Sequence, residues 1–441
     1  MSNFIIINKK IKNFNKKIIV SGDKSISIRW ILLSSIANGI SVAKNLLISE
    51  DVLTAIQAIK KLGIKVKLTK KNCEIKGLGL NGFKSKNVIL NAGNSGTFGR
   101  LILGLLTHTK FKTKIIGDKS LSKRDFTRVI EPLKKFGADF ITNSGKLPIT
   151  VIGTENPKAI KYVEKKGSAQ VKSSIMLAAL NTKGTTTIKA KKSRNHTELF
   201  YKHLKIPIKI TKKKNYDLIK VNGVKKIKKL NYKIPSDISS SAFFIVLTIL
   251  SNNSKLLIKN VNINPSRTGI IKILNMMGAK IKFLNKKKYK GEIVGDIFVK
   301  STKNLKAVTI DSSLNSSAID EFLLIFLVAC KCEGVSSFVK LSELNKKESK
   351  RLDWGIKILR MMNIKTKKTI NNGVKIWGNK NFQTNKNFVI KNYLKDHRIF
   401  MVSAIAALTL GGNWKIYDPD SFRTSFPTFL KLLISLGAKI K

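Results

Sequence analysis

The sequence predicts an α/β (α+β) chain of two domains, each holding three small units of the order βαβαββ around buried helices. Three observations predict it. One phrase, an amphipathic helix end followed by Gly and an apolar-alternating strand, recurs six times in the 441 residues. The copies recur every ~70–85 residues, longer than common solenoid repeats and suited to a module with two helices. Between them lie helices that are apolar all round, which marks them as buried.

The copies run Ile56 to Val66, Ile130 to Phe140, a degenerate Phe200 to Ile208, Ile271 to Ile281, Ile356 to Thr366 and Phe429 to Ile440. Gly63, Gly137, Gly278 and Gly437 stand where a helix C′ residue needs positive φ, and Asn363 is the usual substitute.

The apolar helices open on polar turns: Gly22-Asp-Lys-Ser25, Gly93-Asn-Ser-Gly-Thr97, Gly167-Ser-Ala-Gln170, Ser236-Asp-Ile-Ser-Ser240, Ser316-Ser-Ala-Ile-Asp320 and Asp396-His-Arg398. A buried helix with such a first turn points that turn at something polar. If the modules are arranged symmetrically, several N-termini converge on one anion site of dipoles and amides. The first turn follows Ile18-Ile-Val20, read as a strand, and opens a helix read as ending at Gly39. Gly22 permits the turn, Asp23 or Ser25 caps the amides, and Lys24 and Arg29 add positive charge. Alone, it reads as an N-cap beside two solvated bases. Its repetition along the chain overturns that reading.

The net charge of +60 raises nucleic-acid binding as a rival function. The lysines are spread along loops such as Lys212-Lys-Lys214 and Lys286-Lys-Lys288, without interleaved aromatic platforms, and no base-reading module is present. Richness in Lys, Ile and Asn fits an AT-biased coding sequence, and the field still helps capture anionic substrates. The longest apolar run, Ile399 to Leu410, is too short for a membrane span, and the N-terminal stretch lacks signal-peptide character. Cys73, Cys330 and Cys332 form no disulfide framework, and Cys330-Lys-Cys332 has no nearby zinc partners. A cytoplasmic location and no metal are expected.

Ten segments in order then carry a family resemblance: Gly22-Asp-Lys-Ser-Ile-Ser-Ile-Arg29, Gly93-Asn-Ser-Gly-Thr-Phe-Gly-Arg100, Gly117-Asp-Lys-Ser-Leu-Ser-Lys-Arg124, Gly167-Ser-Ala-Gln-Val-Lys-Ser173, Ser193-Arg-Asn-His-Thr-Glu198, Asp237-Ile-Ser-Ser240, Ile319-Asp-Glu321, Lys347-Glu-Ser-Lys-Arg-Leu352, Asp396-His-Arg398 and Thr424-Ser-Phe-Pro427. Over essentially its whole length the chain resembles the 5-enolpyruvylshikimate-3-phosphate (EPSP) synthases, the 3-phosphoshikimate 1-carboxyvinyltransferases, glyphosate targets on the shikimate route to chorismate and aromatic amino acids. The resemblance implies the two-domain enolpyruvyl transferase fold. Residues 1–21 plus 236–441 would form domain I and 22–235 domain II, with the active-site cleft between them.

It also implies the reaction. The 5-hydroxyl of shikimate 3-phosphate attacks C2 of phosphoenolpyruvate while C3 is protonated, and the tetrahedral adduct loses phosphate. By resemblance, Asp320 is the base, Glu348 the acid, and Lys24 touches both substrates. Phosphoenolpyruvate is held by Lys24, Arg124, Gln170, Arg351 and Arg398, with Gly96 lining its pocket. Shikimate 3-phosphate is held by Lys24, Ser25, Arg29, Ser168, Ala169, Gln170, Ser193, Asp320 and Lys347. No cofactor is implied, and the family is typically monomeric. In isolation, Asp320-Glu321 reads as first-turn acids, and Lys347 to Arg351 as a solvated charge run.

The chain departs from the family pattern at Ser21, Ile28, Asp125-Phe126 and Asn345-Lys346. Asp125 stands beside Arg124, where an anion could offset its charge. The nearest alternative is the sister transferase acting on UDP-N-acetylglucosamine, most of whose members carry a loop cysteine at about the Gly117–Arg124 segment. This chain has none there.

Overall fold

The computed structural model describes residues 3–69, 72–84 and 88–441. The chain divides into two compact units. The first comprises the chain through Ser21, Pro235–Lys288 and Ile293–Lys441; the second comprises Gly22–Ile234 and Tyr289–Glu292. The sequence reading differs at two places: it puts Pro235 with the second domain and leaves 289–292 in the first.

In the second unit, one module shows the pattern. Strand Val88–Asn91 leads into helix Gly96–Leu106, strand Lys112–Ile116, helix Thr127–Lys134 and the hairpin Asp139–Asn143/Lys146–Ile152. The first two strands pair in parallel and the other contacts are antiparallel. The module Lys161–Asn222 repeats this order. The module opened by helix Lys24–Ser35 takes its first strand from far along the chain, because Tyr232–Lys233 pairs in parallel with Asn38–Lys44.

The first unit also completes a module with a strand distant in sequence. Asn15–Ile18 pairs in parallel with Lys255–Asn262 and completes the module of helix Ile238–Leu250. Phe4–Ile7 pairs antiparallel with Gly411–Tyr417, and Ile6 exchanges backbone bonds of 2.8 and 3.0 Å with Lys441. The N-terminal residues are therefore built into the same unit as the C-terminal half.

Helices Ile238–Leu250, Phe322–Ala329 and His397–Leu410 form the core of the first unit. Nearly all their side chains are buried, as continuous apolar composition requires. Lys24–Ser35, Gly96–Leu106 and Ala169–Ala179 do the same in the second. The amphipathic helices end on left-handed residues, Gly63, Gly137, Gly278, Asn363 and Gly437. The degenerate copy keeps the conformation at Lys205, with φ 56°.

Three local expectations need correction. The strand read over Ile18–Val20 lies at Asn15–Ile18. The helix read as ending at Gly39 ends at Ser35, and Gly39 (φ 99°) lies inside the next strand, Asn38–Lys44. The turn read as one helix start over Ser316–Asp320 instead holds a separate short helix, Asn315–Ala318, and the helical segment Ser312–Ala318 is bent 117° from Phe322–Ala329. Asp320 therefore sits at a bend and not in a first turn. Among the described residues no single helix is long and apolar enough to cross a membrane.

Candidate active site

The second unit gathers cations at helix openings. Asp23 is the N-cap of Lys24–Ser35 and accepts from the Ile26 amide at 2.9 Å. Gly22 is needed for close approach, since a Cβ there would stand 2.2 Å from the Asn45 carbonyl oxygen. Lys24 Nζ lies 2.8 Å from Asp51 Oδ2. Arg29 is buried and donates to Thr197 Oγ1 (2.8 Å), Ser173 Oγ (3.0 Å) and the Ser25 carbonyl (3.1 Å). Ser168 caps helix Ala169–Ala179 through the Val171 amide. The Ser193 hydroxyl is buried and has no hydrogen-bond partner among the described residues.

A second cluster joins Gly96, Arg124 and Gln170. A Cβ on Gly96 would lie 2.7 Å from Arg124 Nη1 and 3.0 Å from Arg100 Nη1. Arg100 donates to Gln170 Oε1 (3.1 Å) and the Asp125 carbonyl (2.9 Å), and stacks over Phe126 at 4.6 Å. Gln170 Nε2 donates to Thr97 Oγ1 at 3.2 Å. Arg124 ends a short turn, Leu121–Lys123, braced by Asp118, which accepts from the Leu121 amide (2.7 Å) and from Asn94 (2.6 Å).

Asp125, the departure beside Arg124, spends its carboxylate elsewhere. Its Oδ1 accepts from the Thr127 amide at 2.7 Å. Burial alone would raise its pKa, but the Thr127 hydrogen bonds and the charges of Arg128 and Arg100 hold it below the ordinary aspartate value.

In the first unit, Asp320, Lys347, Glu348, Arg351 and Arg398 form one network. Asp320 Oδ1 lies 3.2 Å from Lys347 Nζ and 3.5 Å from Arg351 Nη1. Glu348 accepts a short contact from Arg351 Nη2. The other edge of Arg351 is clamped by Asp396, Nε to Oδ2 at 2.9 Å and Nη2 to Oδ1 at 3.1 Å. Burial opposes the charge of Arg351, yet Asp396, Glu348 and Asp320 hold its pKa above the ordinary arginine value. Burial would likewise raise Asp396, and Arg351 chiefly keeps that carboxyl below its usual range. Arg398 Nη1 donates to the Asp320 carbonyl at 2.5 Å and lies 3.8 Å from Glu321 Oε1. Three carboxylates, Asp320, Glu348 and Asp396, share one guanidinium here, with Lys347 and Arg398 beside them. This is a setting for acid–base work on an anionic substrate.

Several contributors carry no role in the sequence reading. Asp396 enters the sequence reading as a helix start and inside a family motif, without a role of its own, and its clamp on Arg351, 45 positions away along the chain, exists only in the fold. Arg100, Asp51 and Glu321 are likewise placed by tertiary contact. So is the buried pair Lys172 Nζ–Glu198 Oε1 (2.5 Å), which with Ser173–Thr197 (2.8 Å) ties two of the motifs together. The only signal for that pair was opposite charge inside neighbouring motifs. Among the described residues no group of three or more His, Cys, Asp or Glu could hold a metal ion.

The EPSP synthase (3-phosphoshikimate 1-carboxyvinyltransferase) family model matches residues 8–433. A 3-phosphoshikimate 1-carboxyvinyltransferase of Ruthia magnifica subsp. Calyptogena magnifica is 38% identical over 441 residues, covering 100% of this chain and 99% of that one. One from Vesicomyosocius okutanii subsp. Calyptogena okutanii is 40% identical over the same span, with the same coverage. A solved EPSP synthase from Acinetobacter baumannii superposes with a TM-score of 0.87 at 34% identity, over 99% of both chains. The full-length match in sequence and fold leads to one conclusion: this chain belongs to the EPSP synthase family, the 3-phosphoshikimate 1-carboxyvinyltransferases.

Proposed function

We propose that this chain transfers the enolpyruvyl group of phosphoenolpyruvate to the 5-hydroxyl of shikimate 3-phosphate, releasing phosphate. Asp320 takes the hydroxyl proton as oxygen attacks C2, and Glu348 delivers a proton to C3. The adduct then expels phosphate and loses a C3 proton to give the enol ether. Lys24, Arg124, Gln170, Arg351 and Arg398 bind phosphoenolpyruvate, and Gly96 leaves room for it. Lys24, Ser25, Arg29, Ser168, Ala169, Gln170, Ser193, Asp320 and Lys347 bind shikimate 3-phosphate.

The observation that carries the acid–base roles is the shared contact of Asp320 and Glu348 with Arg351. One cation then serves the group that accepts the proton, the group that donates it and the substrate carboxylate. The reading includes a cytoplasmic monomer that needs no cofactor.

Phosphate release from phosphoenolpyruvate tests the proposal. It is expected with shikimate 3-phosphate as acceptor and not with UDP-N-acetylglucosamine. Release only with the nucleotide sugar would overturn the acceptor, and release with neither would overturn the activity.

A further inference from the structure

The three buried helices of the first unit end beside one another, away from their polar openings. Leu250, Cys330 and Leu410 mark those ends. A cavity of about 380 Å³ lies there, lined among others by Lys10, Ser251, Lys303, Lys331, Lys380 and Gln383. That volume suits a small metabolite. No acidic side chain is among its described lining residues.

Lysines at helix C-termini usually complement terminal carbonyls and the negative end of the dipole. Here those carbonyls already have partners. The Ile11 amide donates to Leu408 O (2.9 Å), Thr302 to Ile249 O (3.0 Å) and Asn379 to Cys330 O (2.9 Å). The ammonium groups turn elsewhere, Lys10 to Gln383 Oε1 and Lys331 to Phe382 O, both at 2.9 Å. Both acceptors are neutral. Lys331 is half-buried; burial first, and then the charge of Lys10, lower its pKa. Two cations thus face one cavity with neutral partners, an arrangement that an anion between them would stabilise.

We propose that this cavity is a second anion site, separate from the candidate active site, that takes a small molecule carrying at least two carboxylate or phosphate groups. Lys10 and Lys331 supply the charge. Gln383 and Ser251 supply neutral hydrogen bonds.

Calorimetric titration with inorganic pyrophosphate and with citrate, at ~150 mM chloride to screen the diffuse surface charge, tests it. Both probes can also meet the active-site cations, so stoichiometry is the readout. The Lys10→Gln/Lys331→Gln variant is expected to lose one saturable site for at least one probe. The control Lys286→Gln/Lys288→Gln removes the same charge and is expected to keep that site. Lys10→Glu changes an exposed side chain, so it avoids any folding defect of the double variant; it is expected to weaken the site at least tenfold. Pyrophosphate alone, or citrate alone, would assign the site to phosphates or to carboxylates. Unchanged stoichiometry in the double variant, undiminished affinity in Lys10→Glu, or equal loss in the control would overturn the proposal.

Discussion

The carboxylate of Asp396 grips Arg351 along its Nε/Nη2 edge, with contacts of 2.9 and 3.1 Å, while Nη2 also reaches Glu348 and Nη1 faces Asp320. Asp396 also receives the Ser349 hydroxyl (2.8 Å) and the Arg398 amide (3.0 Å). One buried carboxylate therefore orients two arginines of the candidate site. Asp396→Asn is expected to lower kcat/KM for phosphoenolpyruvate about 10²-fold through misplacement. Breaking the buried pair is also expected to cost about 3–5 kcal/mol of stability. Steady-state kinetics with a denaturant titration checks both. Unchanged kinetics would remove Asp396 from the positioning role.

Asp320→Ala and Glu348→Ala are each expected to reduce kcat by about 10²–10⁴-fold, the usual share of a positioned acid or base. Rapid-quench turnover with both substrates saturating measures it. Near-normal turnover in either variant would reassign that proton transfer.

Gly96→Ala puts a methyl group 2.7 Å from the end of the Arg124 side chain. That end can move, so the protein folds, but the guanidinium leaves its place. KM for phosphoenolpyruvate is expected to rise about tenfold, roughly 1.4 kcal/mol, with kcat changed much less. A drop confined to kcat would contradict the assignment of Gly96 to that pocket.

His108 offers a pH dependence. Burial lowers its pKa, against a hydrogen bond to the Ala178 carbonyl that favours the charged ring. The unfolded chain, with a histidine pKa of about 6.5, binds the proton more readily than the folded one. Stability is therefore lost as pH falls below about 6.5 towards the folded value. His108→Gln is expected to remove that component, so the two unfolding free energies should diverge only below about pH 6.5. Parallel slopes from pH 8 to 5 would contradict it.

The three cysteines are buried. Burial pushes Cys73 and Cys332 up to about 12, and Cys330 is raised too, with Cys332 adding to the effect of burial. None should react with a thiol reagent at pH 8 until the chain unfolds, because the thiolate is the reactive form. Rapid native labelling would contradict the burial of these thiols.

The modular α/β plan is legible in local sequence patterns. Helix periodicity, the left-handed stops and the apolar helices are local patterns, and each is enforced by backbone sterics or by burial of a continuous apolar surface. The ordered motifs likewise pointed to the family. Tertiary structure decided what no local pattern encodes: the pairing that sends Asn15–Ile18 and Tyr232–Lys233 into distant sheets, the bend that lifts Asp320 out of a helix, and the partners of each charge. Asp125 shows why. In the sequence it neighbours Arg124, but in the fold its carboxylate is held by Thr127, Arg128 and Arg100. Coulomb energy depends on distance and desolvation in space, and neither is set by separation along the chain.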